Sequence, residues 1–252
     1  MTYISFTALG LRNIMSQIRL ITFDATNTLF KVHGGVGKVY AETAIKYGVG
    51  ANPQEVDKNF KKAFKQHTIK FPNFGQSFGM SSQQWWDRVV YCSFNGEVES
   101  GILRKISSEL YINFSKRSHW ELFPDVFPVL DHFKIRDVKL GVISNFDERL
   151  KTILTELTIG KYFTFVLSSR ETQWWKPSPE IFHHGISMVT KCSPANTLHI
   201  GDNLELDYNA ARNAGMEALL LQRQPSDQEL LMNKDVPKHK IITSLDQLCS
   251  LL

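Results

Sequence analysis

The chain has 252 residues, of which 42% are hydrophobic, 12% aromatic and 21% charged, enough apolar content to bury one large core or two smaller ones. Its net charge of +4 is scattered, and no apolar run reaches the ~18 residues of a membrane span, so neither a nucleic-acid partner nor a membrane partner is expected. Three well-separated cysteines, Cys92, Cys192 and Cys249, imply free thiols in a reducing, intracellular compartment.

Residues 1–15 hold Arg12 and no acid and stop at Met15. They read as a disordered leader, which makes the cytoplasm the expected location; a presequence that would direct the chain to mitochondria is the alternative. A short apolar strand, Arg19 to Phe23, then delivers Asp24, and Thr26-Asn27-Thr28 reads as a turn. Next come helices only: Val36 to Tyr47, Pro53 to His67, Ser81 to Phe94 and Glu99 to Phe114 carry apolar residues at helical spacing. Ser81-Ser82 is the expected N-cap of the third, and Pro72, Asn73 and Gly75 form the loop before it.

From Pro124 the pattern alternates. Lys139 to Ile143, Phe163 to Leu167, Thr197 to Ile200 and Ala218 to Leu221 are short and apolar, as buried parallel strands are. Asp125 to Phe133, Glu148 to Leu157, Pro179 to Val189 and Leu206 to Ala214 are the helices around them. The fold class is therefore α/β: a Rossmann-like, doubly wound parallel sheet, residues 16–32 and 117–252, interrupted after its first strand by an all-helical module, residues 33–116.

Chemistry in such sheets sits at the carboxyl ends of the strands. The first strand is followed by Asp24, the second by Ser144-Asn145 and the third by Lys176, where Pro177 and Pro179 open a helix. The fourth is followed by Asp202 and Asp207. Singly these have plainer readings: Ser144 and Asn145 as a turn, Lys176 as a surface lysine, Asp202 as a turn after Gly201, Asp207 as a first-turn acid. Asp147 reads as a helix N-cap. Together, a carboxylate, a hydroxyl with an amide, an amine and a carboxylate pair suit phosphate chemistry: Asp24 attacks, Ser144 and Lys176 bind phosphoryl oxygens, and Asp202 helps hold a hard cation. "HGGVGK" is no P-loop, because Val32 stands at its first glycine and Val39 follows Lys38. Lys58, Lys61, Lys62 and Lys65 form a solvated helix face, and Trp174 and Trp175 are packing residues unless one walls the pocket.

The order and context of the four motifs resemble the haloacid dehalogenase superfamily, and the insert between the first two resembles its subgroup with a helical cap. The resemblance covers nearly all of the chain after Met15. It implies that Asp24 is the nucleophile, Ser144 the phosphate-binding hydroxyl and Lys176 the charge-neutralising lysine. It further implies a magnesium site of Asp24, the backbone carbonyl of Thr26, and Asp202, with Asp207 close to the metal through water or through Lys176. Asn145 and Lys176 would join Ser144 in binding substrate.

One departure matters. Phosphatases of the superfamily carry a second aspartate two residues after the first, the acid/base that protonates the leaving alcohol and then activates water. Here that position is Thr26. A threonine hydroxyl does not titrate near neutrality, and a positioned acid/base is worth ~10²–10⁴ in rate. His33 is the nearest stand-in, although a plain loop histidine is the simpler reading. Asn27 replaces the usual glycine and tolerates the same left-handed turn. The expected function is hydrolysis of a small phosphorylated molecule with weak or unusual turnover. The alternatives are a catalytically silent protein that keeps the phosphate pocket, and a dehalogenase, for which two further carboxylates and a cation have no evident use.

Overall fold

Every strand expected from the apolar runs is present. The structure, a computed structural model, describes residues 17–96, 98–223 and 235–251. The leader of residues 1–15, with the presequence reading attached to it, lies outside the described residues. Among the described residues, six strands form one parallel sheet: β1 (Leu20–Phe23), β4 (Lys139–Ser144), β5 (Phe165–Ser168), β6 (Thr197–Gly201), β7 (Glu217–Leu221) and β8 (Ile241–Ile242). Their spatial order is β5-β4-β1-β6-β7-β8. Two short strands not foreseen in the sequence, β2 (Phe30–Val32) and β3 (Trp120–Leu122), pair with each other.

Burial explains the sheet. Leu20, Ile21 and Phe23 are fully buried, and each such side chain contributes about 1.5–3 kcal/mol when removed from water. The strands of a parallel sheet are covered on both faces, which is why they read as continuous apolar runs. The chain lays β4 and β5 on one side of β1, then crosses to lay β6 and β7 on the other. The strand order therefore reverses at β1, and the carboxyl end of a strand at such a reversal is where sheets of this kind place their site.

The chain divides into two units. The first comprises the described residues up to Phe30, Leu122–Ser144 and the described residues of Ile159–Leu252; it holds the sheet. Its helices include α5 (Val126–Ile135), α7 (Pro179–Ser187) and the short α8 (Ala210–Asn213) and α9 (Leu248–Leu251). Ile181 and Phe182 of α7 pack into a cluster with Leu20, Ile143 and Leu167.

The second unit comprises Lys31–Glu121 and Asn145–Thr158. Its helices are α1 (Val36–Ile45), α2 (Pro53–Lys70), α3 (Ser82–Ser93), α4 (Ser100–Asn113) and α6 (Leu150–Glu156). Local chemistry sets their starts. The Asn52 side chain accepts from the backbone N–H groups of Gln54 and Glu55, Ser81 and Gln84 form a capping box, and Glu99 accepts from Gly101 and Ile102. Between α2 and α3, Asn73, Phe74 and Gly75 all take left-handed backbone, at φ 47°, 56° and 71°. Tyr40 centres one aromatic core, 5.6 Å from Phe60, and Trp85 with Phe74 centres another.

The sequence returns all of residues 117–252 to the sheet domain, yet Asn145–Thr158 groups with the helices. The reason is a buried ion pair. The Arg149 guanidinium makes two hydrogen bonds to Asp147 (2.5 and 2.9 Å), a third to the Tyr111 carbonyl (2.8 Å), and lies 4.0 Å from the Tyr111 ring centre. Trp86 donates to Asp147 (2.7 Å), while Ser82 and Tyr111 donate to Glu148. Asp147 also accepts the Arg149 N–H, but it is not the N-cap expected of it: α6 starts at Leu150 rather than at Glu148, Arg149 is the N-cap residue, and no side chain caps the helix. Cys92, Cys192 and Cys249 are free thiols. Among the described residues no helix is long and apolar enough to cross a membrane.

A second ion pair anchors the turn after β1. Asp125, at the start of α5, accepts two hydrogen bonds from Arg223 (2.8 and 2.9 Å) and one each from Ser244 and the Leu245 N–H (both 2.8 Å). Arg223 also donates to the Thr28 carbonyl (2.8 Å) and stacks 3.8 Å from the Phe123 ring centre. Burial pushes the Asp125 carboxyl up, but its hydrogen bonds with Arg223, Leu245 and Ser244 outweigh burial and hold it below the ordinary 3.8. A depressed carboxyl adds stability above its unfolded value and loses it as pH falls through the folded one. Asp125→Asn is therefore expected to lower stability by about 2 kcal/mol near neutrality. In urea unfolding, the gap to wild type should close as the pH drops below 3.8.

Candidate functional site

Asp24 stands one residue beyond β1, where its N–H still donates to the Ile200 carbonyl of β6 (2.9 Å). It faces Lys176, whose ammonium lies 2.5 Å from Asp24 Oδ1 and 2.5 Å from Asp207 Oδ1. The lysine is 2% exposed, so its charge is stabilised by these carboxylates rather than by water. Burial alone would push its pKa down. Asp207 and Asp24 reverse that and hold it well above the ordinary lysine value. Pro179 is the first residue of α7 and Lys176 lies three residues before it, as the Pro-x-Pro pattern suggests.

Asp202 follows β6, and Asp207 lies in a π-helical turn, Leu204–Asn209, which then runs into α8. The sequence places an ordinary helix at 206–214; the wider turn is what swings Asp207 back toward β6. The Asn203 side chain accepts from Glu205 and Leu206 N–H, and the Asn203 N–H donates to Asp207 Oδ2 (3.0 Å). Asp24, Asp202 and Asp207 each place a carboxylate oxygen within 4.8 Å of the other two.

The three carboxylates are not equivalent. Asp207 is buried, which would raise it, but Lys176 and His199 hold it well below the usual range. Asp24 is raised, by burial first and by Asp207, with Lys176 opposing. Asp202 is pushed up to about 7 by burial, Asp24 and Asp207. When all three are ionised, the carboxylates around one ammonium leave an excess of two negative charges.

The structure thus brings Asp24, Lys176, Asp202 and Asp207 together. Ser144 ends β4, the strand beside β1, and is 3% exposed. Asn145, the next residue, groups with the helical unit. Thr26 and Asn27 occupy a tight turn in which the Asn27 N–H donates to the Phe30 carbonyl (2.7 Å). Asn27 has φ 62°, so the glycine-like turn is kept. His33 is exposed in the helical unit, 3.4 Å from Glu121. Trp174 packs on His184 and the sheet cluster, and Trp175 is exposed.

Two residues join the site that the sequence does not mark as site residues. The Asn27 side chain hydrogen-bonds Asp202; its left-handed turn is legible in the sequence, its aim is not. His199, within β6, is fully buried, with Nδ1 2.9 Å from Thr22 Oγ1 and Nε2 3.2 Å from Asp207 Oδ1. A histidine amid "TLHIG" was the available hint, since a buried polar ring in an apolar strand needs partners.

The family model for haloacid dehalogenase-like hydrolases matches residues 18–215. Haloacid dehalogenase-like hydrolase domain-containing protein 3 of Xenopus laevis is 35% identical over 234 residues, 92% of this chain and 94% of that one. Its Homo sapiens counterpart is 34% identical, covering 92% of each. Among solved structures, the HAD-hydrolase YfnB from Bacillus subtilis, bound to magnesium, superposes with a TM-score of 0.69 at 16% identity, over 93% of this chain and 98% of that one. At that identity the likeness is one of fold.

Gly201 explains how Asp207 reaches the site. A Cβ on residue 201 would lie 2.2 Å from Asp207 Cγ, so the absent side chain is the space that the carboxylate fills. Gly201→Ala is expected to displace Asp207 and lower stability by about 1–3 kcal/mol, the usual range for overpacking. Thermal unfolding measures the loss, and unchanged stability would show that the π-helical turn yields freely.

Proposed function

This chain belongs to the haloacid dehalogenase-like hydrolases, and from that premise we propose that it transfers a phosphoryl group from a small phosphorylated molecule to Asp24, with magnesium, and then clears it slowly. The observation that carries this reading is the buried Lys176 ammonium shared by Asp24 and Asp207, with Asp202 alongside.

The residues present fit a hard divalent cation. The donors are carboxylate oxygens, the ligand type magnesium prefers, and the excess of two negative charges is what such an ion would balance. Asp24, Asp202 and the Thr26 carbonyl would hold it. Asp207, whose oxygens already accept from Lys176, His199 and Asn203, serves first as the anchor of Lys176. When bound, the ion would offset charge on the phosphoryl oxygens.

In the first half reaction a carboxylate oxygen of Asp24 attacks phosphorus, and the bond to the leaving oxygen breaks with its electron pair going to that oxygen. Lys176 offsets phosphoryl charge, and the Ser144 hydroxyl donates to a phosphoryl oxygen. An acyl phosphate releases a carboxylate, which needs no proton. In the second half reaction water attacks the phosphoaspartate, and its proton needs a base. Thr26 cannot take it. The retained carboxylate pair also favours phosphate over halide, since a carbon–halogen displacement by Asp24 has no use for a cation site.

The test is incubation with acetyl phosphate and magnesium, followed by intact mass measurement. A persistent phosphoryl adduct is expected on wild type, none on Asp24→Asn, and faster clearance in Thr26→Asp, by up to the ~10²–10⁴ a positioned acid/base contributes. Calorimetry should detect magnesium binding that Asp202→Ala abolishes. A wild type that binds phosphate but forms no adduct, with Thr26→Asp equally inert, would make the chain a silent binding protein.

A further inference from the structure

We infer that Thr22 and His199 are positioning residues: a directional hydrogen-bond chain runs from Thr22 through His199 to Asp207 and holds the carboxylate that orients Lys176. Neither residue lies in a motif. Both sit inside strands, fully buried, among apolar neighbours.

Register creates the pair. In the parallel ladder between β1 and β6, Thr22 and His199 are direct partners. Side chains alternate along a strand, so Thr22 shares a face with Asp24 two residues on, and His199 shares that face with residue 201. Residue 201 is glycine, and the Asp207 carboxylate occupies the place its side chain would take. One face of two adjacent strands therefore presents, in sequence, Thr22 beside His199, then Asp24 beside the Asp207 carboxylate.

Donor and acceptor chemistry sets the direction. An ionised carboxylate only accepts, so His199 Nε2 carries the proton toward Asp207 Oδ1 (3.2 Å). In the neutral ring Nδ1 is then the acceptor, and the Thr22 hydroxyl donates to it at 2.9 Å; the competing Leu198 carbonyl is farther, at 3.4 Å. The Phe182 ring packs edge-on, 5.1 Å away at 82°, and fixes the imidazole plane. Asp207 Oδ2 is meanwhile held by the Asn203 N–H (3.0 Å). The carboxylate is pinned at both oxygens, and Lys176 meets it in one orientation. Without the imidazole, Asp207 Oδ1 loses one of its two donors, the carboxylate is held only by Lys176 and the Asn203 N–H, and the ammonium is drawn toward Asp24, which blunts the nucleophile. That consequence rests on the phosphoryl-transfer reading; the hydrogen-bond chain does not.

The test has a part that needs no substrate. In the ¹⁵N-histidine-labelled full chain at neutral pH, two-bond correlation spectra should show one ring with a protonated Nε2 and an acceptor Nδ1. The signal is assigned by its loss in His199→Gln, and its Nδ1 resonance should move in Thr22→Val. An imidazolium or an Nδ1–H tautomer at His199 overturns the inference. The Lys176 ammonium ¹⁵N resonance should shift in His199→Leu and return toward wild type in His199→Gln, whose amide can donate to Asp207; no shift also overturns it. The activity arm is the rate of adduct formation from acetyl phosphate with magnesium. His199→Leu should be about ten- to hundredfold slower, as for other residues that orient a functional side chain from behind, with His199→Gln intermediate. A folded His199→Leu with the wild-type rate overturns the positioning role. A wild type that forms no adduct overturns the phosphoryl reading instead, and the two resonance measurements then decide the chain alone.

Discussion

One buried ammonium organises this molecule. Lys176 has almost no contact with water, and its charge persists because Asp24 and Asp207 both lie 2.5 Å away. Breaking a buried pair by removing one partner leaves a charge stranded in a low-dielectric interior, which is strongly unfavourable. The lysine's position is therefore a condition on three separate elements: the end of β1, the turn before α7 and the π-helical turn after β6. Each is shaped by a local feature that makes the meeting possible. Asn27 takes up the left-handed turn that closes the first loop, Pro179 sets the start of α7, and Gly201 leaves the space that Asp207 enters.

Charge and proton transfer are separable at this site. On the phosphoryl-transfer proposal, Lys176 and a cation held by the carboxylates would supply the electrostatic half of the chemistry. On the same proposal, the proton-handling half would need a titratable side chain in the turn after Asp24, and Thr26 has none. An acidic group in that turn would have added to a site where burial, Asp24 and Asp207 already push Asp202 up to about 7. On the phosphoryl-transfer proposal, the Thr26 hydroxyl adds no charge and supplies no base, which favours holding a phosphoryl group over releasing it.

The two units are held by different physics. The sheet unit depends on strand register and on buried aliphatic residues, and the register pairs the buried polar side chains of Thr22 and His199. The helical unit depends on aromatic clusters around Tyr40 and Trp85 and on the Asp147–Arg149 pair stacked against Tyr111. Because Ser144 belongs to the first unit and Asn145 to the second, one peptide bond divides the second motif between them.

What the sequence determined by itself is local and periodic. The apolar runs gave away every strand that flanks the site, since a strand buried on both faces has no other way to be written. The four helices of the insert were legible from spacing and, for the third, from the cap at Ser81, and Asp24, Lys176, Asp202 and Asp207 from their places after strands. The short pairs β2–β3 and β8 were not legible, because two or three residues carry no periodicity. Tertiary structure alone decided the rest. The π-helical turn has the composition of an ordinary helix start, and only the space over Gly201 and the pull of Lys176 distinguish it. Asn145–Thr158 joined the helices through side chains of Trp86 and Tyr111 remote in sequence. Thr22 and His199 are 177 positions apart, and nothing in either strand announces the other; their pairing exists only once the parallel register sets them side by side in an interior where each must satisfy its partner.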